Sequence, residues 1–72
     1  MKPDGAAARV TRRRELERHL REHGCVLRRE GAKHSVWENQ STERSATVPR
    51  HTEVPRTTAR AICRQLGIPP LE

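Results

Sequence analysis

The sequence predicts an α+β domain in which one helix, three antiparallel strands and a second helix follow one another. Two segments repeat large aliphatic residues four positions apart, Leu16 with Leu20 and Ile62 with Leu66, as amphipathic helices do. Between them lie three short segments in which apolar and polar residues alternate, separated by glycine and polar turns. The most economical packing puts both helices on one face of the sheet and leaves the other face open.

The first helix is predicted to begin at Thr11, whose hydroxyl can cap a helix of about a dozen residues. Leu16 and Leu20 form its buried stripe, and charged residues cover its other faces. A glycine at position 24 is typical of the residue that ends a helix. Residues 1–10 are expected to be a flexible leader, and residues 11–69 a single domain.

Three strands are predicted after this helix, over residues 25–29, 34–38 and 44–48. Alternation along the first strand puts Cys25 and Leu27 on the core face and Arg28 on the open face. In the second strand Trp37 anchors the core, and His34 faces outward by the same alternation. Pro49 is expected to end the third strand, because it has no N–H to donate to a sheet.

The second helix is predicted to run from a cap at Thr57 or Thr58 to Leu66, after an irregular connection over residues 50–56. Gly67 ends this helix, and the prolines that follow prevent it from continuing.

The chain is small and strongly basic. Its 72 residues include 15 Lys and Arg against 9 Asp and Glu, a formal net charge of +6. With one Trp and no Phe or Tyr the core must be small, which argues against a deep active site. A basic domain of this size usually binds nucleic acid or an acidic protein, the alternative being a charged surface that aids solubility alone.

The expected location of the protein follows from what its composition excludes. Two unpatterned cysteines indicate free thiols, so a cytoplasmic protein is expected. No segment is typical of a secretory signal or a membrane span, and no membrane association is expected.

The segment around His34 is the candidate site for chemistry. Cleavage of RNA through its 2′-hydroxyl needs proton transfer and stabilisation of charge on the phosphate, and an imidazole transfers protons near neutral pH. Lys33, Arg28, Arg29 and Arg50 can supply the positive charge if the hairpin brings them near. The alternative is an ordinary surface histidine beside a turn.

Other residues have weaker cases for function. His19 and His23 are four residues apart with Cys25 beyond, a spacing compatible with zinc, but a solvated helix face is the better explanation and no metal site is predicted. His51 either assists phosphate binding or is a loop residue. Cys63 is expected to be a small buried hydrophobe. Arginines of the two helices form either a phosphate track or a solvated surface: residues 12, 13, 14, 18, 21, 60 and 64.

The chain resembles the HicA family of bacterial toxins over about residues 12–69. The order and spacing of several short segments carry this resemblance, at residues 14–16, 20, 23–24, 26–29, 31, 34, 36–37, 47–51, 55–58 and 62–68. The family's functional histidine lies in a Gly-Ser-His motif three residues before an aromatic residue, as His34 lies before Trp37. Here the motif reads Ala32-Lys33-His34 and its glycine is displaced to Gly31, a departure expected either to shift the turn or to add a cation at the scissile phosphate.

The resemblance implies a fold like that of double-stranded-RNA-binding domains and an mRNA-cleaving ribonuclease that needs no metal or other cofactor. It assigns the catalytic role to His34. It also implies a HicB-type antitoxin, with a monomeric toxin alone and a hetero-oligomer in the complex. We expect the antitoxin to cover the His34 face of the sheet and to bury Lys33.

Two alternatives belong to other functional classes. A non-catalytic RNA-binding module of the same fold would bind duplex RNA by shape and leave it intact. A pure interaction protein would use its arginines to bind an acidic partner and would show no salt-dependent RNA binding.

Overall fold

The computed structural model describes residues 10–71, so most of the predicted leader lies outside the described residues. Seven elements follow in order: β1 Val10–Arg12, α1 Arg13–Glu22, β2 Cys25–Glu30, β3 His34–Asn39, β4 Ser45–Pro49, β5 Glu53–Pro55 and α2 Arg56–Leu66. The predicted α+β class is confirmed, and so is the order of a helix, a three-stranded antiparallel sheet and a second helix. Val10, assigned to the leader from sequence, begins β1.

The main sheet has the strand order β2-β3-β4, and both of its strand pairs are antiparallel. Trp37 lies opposite Ala46 and Ser35 opposite Val48, and all four are buried on one face. The leucines of α1 and the apolar stripe of α2 pack in the same core cluster. Both helices therefore cover one face of the sheet, as alternation predicts, and Trp37 is 1% exposed at the centre.

A second, two-stranded sheet joins the starts of the two helices. β1 pairs antiparallel with β5, with Thr11 opposite Val54 and Arg12 opposite Glu53. The predicted irregular connection over residues 50–56 is therefore wrong, since its last part is a strand. Three-residue strands carry too little alternation to be found from sequence, and here the partners are far apart in the chain.

Both predicted helix caps are wrong for the same reason. Each helix starts directly from a short strand, so Arg12 and Pro55 occupy the N-cap positions and neither helix has a side-chain cap hydrogen bond. Thr11 is engaged in β1, while Thr57 and Thr58 lie inside the first turn of α2. The helix starts are set by the pairing of β1 with β5, and local capping preferences do not decide them.

The end of α2 matches its prediction. Gly67 adopts a left-handed φ of 74°, and the N–H of Ile68 donates to the Cys63 carbonyl at 3.0 Å while that of Gly67 donates to Arg64 at 3.1 Å. This is the Schellman arrangement that satisfies carbonyl groups at a helix end. Ile68 is buried and completes the core beneath it.

Asn39 lies one residue beyond the predicted second strand, but it ends β3 and is buried. Its Nδ2 donates to the Leu66 carbonyl at 2.7 Å, and its Oδ1 accepts from the Ser41 N–H at 2.9 Å. The side chain thus joins the sheet to the last turn of α2 through a buried polar contact, which alternation of hydrophobicity alone cannot predict.

Over residues 10–71, neither helix has the length and apolar character that a membrane crossing requires.

Candidate functional site

The turn between β2 and β3 holds His34 at the open side of the sheet. His34 begins β3 opposite Pro49, and it is exposed while its neighbour Ser35 is buried. The N–H of Gly31 donates to the His34 carbonyl at 2.8 Å. A Cβ at position 31 would lie 3.1 Å from that oxygen, so the close approach favours glycine at this position.

Arg50 binds this turn from the end of β4. Its N–H donates to the Lys33 carbonyl at 3.0 Å, and its Nη1 donates to the Gly31 carbonyl at 2.7 Å. Its Nη2 lies 3.3 Å from Oε2 of Glu30. The guanidinium predicted to bind substrate is therefore already bonded to the turn, a positioning contact that sequence reasoning missed.

A β-bulge in β2 changes which arginines face the open side. Leu27 pairs with Trp37, but Arg29 pairs with Val36, so Arg28 is the extra residue between them. Strict alternation would put Arg29 on the helix-covered face with Leu27. The bulge instead puts Arg29 on the same face as Val36, beside the strand that begins with His34.

The bulge also separates the roles of the two arginines. Arg28 forms an ion pair with Glu38, which lies four residues along β3 from His34, roughly 13 Å at the rise of a strand. Arg29 lies opposite Val36, only two residues along, or about 7 Å. Arg29 is therefore nearer to His34 and, unlike Arg28, has no acidic partner among residues 10–71.

Four predicted site residues are exposed and unengaged. The side chains of Arg29, Lys33, His34 and His51 form no hydrogen bond or ion pair with another residue of the described part. Lys33, His34 and His51 lie at one end of the sheet. The hydrogen bond from the Arg50 N–H to the Lys33 carbonyl holds the residue before His51 against the turn. This end is an open surface with positive charge around the imidazoles of His34 and His51.

His19 of α1 and His23 at its C-cap are both engaged within the fold. His19 Nε2 lies 2.7 Å from the Pro69 carbonyl, and His23 Nδ1 lies 2.9 Å from the His19 carbonyl. A ring nitrogen that binds a carbonyl must carry the proton, so neither of these nitrogens is free to bind a metal in this arrangement. No three His, Cys, Asp or Glu side chains are grouped as metal ligands within residues 10–71.

Both cysteines lie in the core with free thiols, as expected. Burial raises the pKa of Cys25, and the nearby Cys63 raises it further. Burial also raises the pKa of Cys63, against a smaller opposing effect of the Leu71 backbone. Thiols that stay protonated and buried at neutral pH are poor nucleophiles, so neither cysteine suits a catalytic role.

A family profile described as "HicA toxin of bacterial toxin-antitoxin" matches residues 13–68 of the 72-residue chain. No curated protein and no solved structure is significantly similar to the chain. The match covers every element from α1 to α2, including the turn that holds His34.

Proposed function

We propose that this chain, which belongs to the HicA toxin family, is a metal-independent endoribonuclease that cleaves mRNA in the cytoplasm. Family membership makes it the toxin of a bacterial toxin–antitoxin system. The observation that carries the further step is the exposed, unengaged imidazole of His34 on a turn fixed by Arg50. A surface of this kind suits a long, flexible polyanion better than a small molecule that needs enclosure.

In the proposed mechanism His34 is the catalytic residue. Its neutral imidazole removes the proton of the ribose 2′-hydroxyl, whose oxygen attacks the adjacent phosphorus and displaces the 5′-oxygen of the next nucleotide. The leaving oxygen takes a proton from water or from Lys33. One acid–base group of this kind contributes about 10²–10⁴-fold to the rate.

The surrounding cations are assigned to phosphate binding. Lys33 and Arg29 are the nearest unengaged cations and would stabilise charge on the reacting phosphate. Arg28, Arg50 and His51 lie further out or are partly engaged, and we assign them to flanking contacts with the RNA backbone. Arg50 has a second role, because its bonds to the turn orient the backbone that carries His34.

The family implies a cognate antitoxin, and we propose that it is of the HicB type and binds over the open face of the sheet. The basic surface around Lys33 and Arg29 favours an acidic patch on that partner. Covering this surface would exclude RNA and inactivate the toxin. A complex that leaves His34 accessible and is still inactive would exclude inhibition by occlusion.

The decisive experiment measures cleavage of a single-stranded RNA in EDTA by the purified protein and its His34→Ala variant. We expect the variant to be slower by about 10²–10⁴-fold, because the acid–base group is lost. His23→Ala is the matched control, since His23 is an exposed histidine at the C-cap of α1, away from the turn. DNA of the same sequence should remain intact, because it lacks the nucleophile.

The experiment also separates the alternative. If wild type and His34→Ala bind RNA equally and neither cleaves it, the chain is a non-catalytic RNA-binding module. Cleavage that survives in His34→Ala and disappears with EDTA would exclude the proposed mechanism altogether.

A further inference from the structure

A second basic site lies where β1 passes into α1. A surface cavity of about 230 Å³ is lined there by Arg12, Arg13, Arg14 and Thr52. Its volume is below the roughly 300–1,000 Å³ of pockets that enclose drug-sized ligands. A cavity of this size with three arginines suits a small anionic group better than a nucleobase or a whole nucleotide.

The positive charge in this cavity is largely uncompensated. Arg13 has one loose ion pair with Glu17 at 3.7 Å. Arg12 and Arg14 form no hydrogen bond or ion pair with another residue in the described range, although Glu53 is the strand partner of Arg12. Three adjacent cations repel one another, and the dipole of α1 adds to the repulsion at its amino end. A bound anion would remove both costs.

Hydrogen bonds join this cavity to the turn of His34. Arg13 Nη1 donates to the Arg50 carbonyl at 2.6 Å, and the Arg13 N–H donates to the Thr52 carbonyl at 2.8 Å. Arg50 in turn donates to the Lys33 carbonyl. The residues between β4 and β5 therefore form a short path from the candidate catalytic histidine to the arginine cavity.

We propose that this cavity binds a backbone phosphate of the same RNA strand that reaches His34, at a position away from the cleaved bond. Arg12 and Arg14 supply the contacts, and Arg13 holds the 50–52 segment that connects the two sites. The inference rests on the proposed function, since it extends the RNA path of that site. It predicts that the two arginines govern binding of RNA and leave the chemical step unchanged.

The test measures binding of a short 2′-O-methyl RNA, which the 2′-hydroxyl mechanism cannot cleave, at several salt concentrations. Arg12→Gln and Arg14→Gln should each weaken binding several-fold. Each should also reduce the magnitude of the slope of log K against log salt by about 0.7, the value for one lost phosphate contact on a single strand. With cleavable RNA, both variants should raise KM and leave kcat within twofold.

Arg64→Gln is the matched control. It removes the same charge from an exposed arginine at the far end of α2, about 12 Å along the helix from Arg56. Its slope should match that of wild type. Thermal unfolding of all three variants should agree within a few degrees, because the side chains of Arg12, Arg14 and Arg64 are exposed.

The outcomes distinguish this inference from the proposed function. If all three variants change the slope equally, binding reflects net charge alone and the cavity proposal is wrong, while cleavage through His34 stands. A cavity that binds the antitoxin instead would leave RNA binding unchanged in Arg12→Gln and Arg14→Gln, which also overturns the proposal. Wild-type protein that neither binds nor cleaves RNA would overturn both.

Discussion

At the scale of single residues, Arg50 and His34 occupy the same end of the sheet but are engaged in opposite ways. The guanidinium of Arg50 bonds the Gly31 carbonyl and the Glu30 carboxylate, whereas the imidazole of His34 has no partner within residues 10–71. An engaged cation holds the backbone, and an unengaged imidazole is available to substrate. In the proposed mechanism Arg50 therefore positions the turn, and His34 transfers the proton.

Replacement of Arg50 by lysine tests this division. Arg50→Lys keeps the charge but cannot bond both Gly31 and Glu30 with a planar fork. We expect kcat for RNA cleavage to fall about tenfold, since small displacements of a reacting group are costly, with little change in KM. The NMR signals of the His34 ring should shift in the free protein. An unchanged kcat in Arg50→Lys, with a raised KM in Arg50→Gln, would contradict the positioning role and leave Arg50 with its flanking phosphate contact alone.

Asn39 makes a second residue-scale prediction, for stability. Asn39→Ala leaves the Leu66 carbonyl without its buried donor, so we expect a loss of about 1–3 kcal/mol in the free energy of unfolding. Gln40→Ala is the control, because Gln40 is exposed and its side chain makes no hydrogen bond to another residue of the range 10–71. Its change should stay within about 0.5 kcal/mol in urea denaturation. Equal losses in the two variants would contradict the role of the buried bond.

At the scale of elements, the bulge in β2 decides which basic residue serves the candidate site. It gives Arg29 the open face near His34 and leaves Arg28 paired with Glu38. Without the extra residue, the face of every following side chain in β2 would reverse. The chemistry available beside His34 therefore depends on one irregular position in a strand.

Two substitutions at neighbouring positions, each of which removes one positive charge, test this assignment. Arg29→Gln should raise KM for RNA about fivefold to tenfold, because it removes an unengaged cation near the reacting phosphate. Arg28→Gln should raise KM by a smaller factor, at most about twofold, because the charge that makes this flanking contact is already compensated by Glu38. Steady-state kinetics at one salt concentration suffice to compare them. If the two effects are equal, the bulge does not select between the arginines.

Sequence patterns predict β3 but not the bulge in β2 or the short strands β1 and β5. Alternation around Trp37 predicted β3, its core face and the outward position of His34, because every second residue there has a consistent polarity. No such pattern predicts the bulge at Arg28, because the position of a bulge depends on how β2 pairs with β3. β1 and β5 were not predicted because each is stabilised by pairing with the other, and the two strands are far apart in the sequence. The hydrogen bonds of Arg50 likewise depend on the folded turn. Its place beside the candidate site was predicted, but its bonds to Gly31 and Glu30 were not.

At the scale of the whole molecule, a small core supports a large excess of positive charge. Twelve apolar residues form the buried cluster, while the net charge is +6 over 72 residues. Repulsion among the arginines opposes the compact state. Binding of RNA or of an acidic partner to the folded chain would therefore raise its apparent stability.

The buried thiols predict how stability depends on pH. The pKa values of Cys25 and Cys63 are raised in the fold above the usual 9.0, so the unfolded chain loses these protons first as pH rises. The stabilisation is complete below about pH 9 and is lost as pH rises towards the folded pKa values. We expect the urea midpoint to fall between about pH 8 and about pH 10, a range that spans the usual cysteine pKa.

The double variant Cys25→Ala, Cys63→Ala should lower stability at every pH and show a smaller decline across this range. The quantity to compare between wild type and variant is the decrease of the urea midpoint from about pH 8 to about pH 10. An identical decline in wild type and variant would show that other groups cause it.

The charged bulge in β2 has a consequence for solubility. Within the described part of the chain, β2 is an edge of the sheet, and the apolar side chain of Leu27 is 43% exposed there. Unpaired edges invite a strand from another molecule, and irregular, charged edges deter it. In the proposed function these arginines bind RNA, and their charge would also deter strand pairing between copies of the protein. A variant in which Arg28 and Arg29 are neutralised to abolish toxicity would remove this charge, and its β2 edge would be more prone to aggregation.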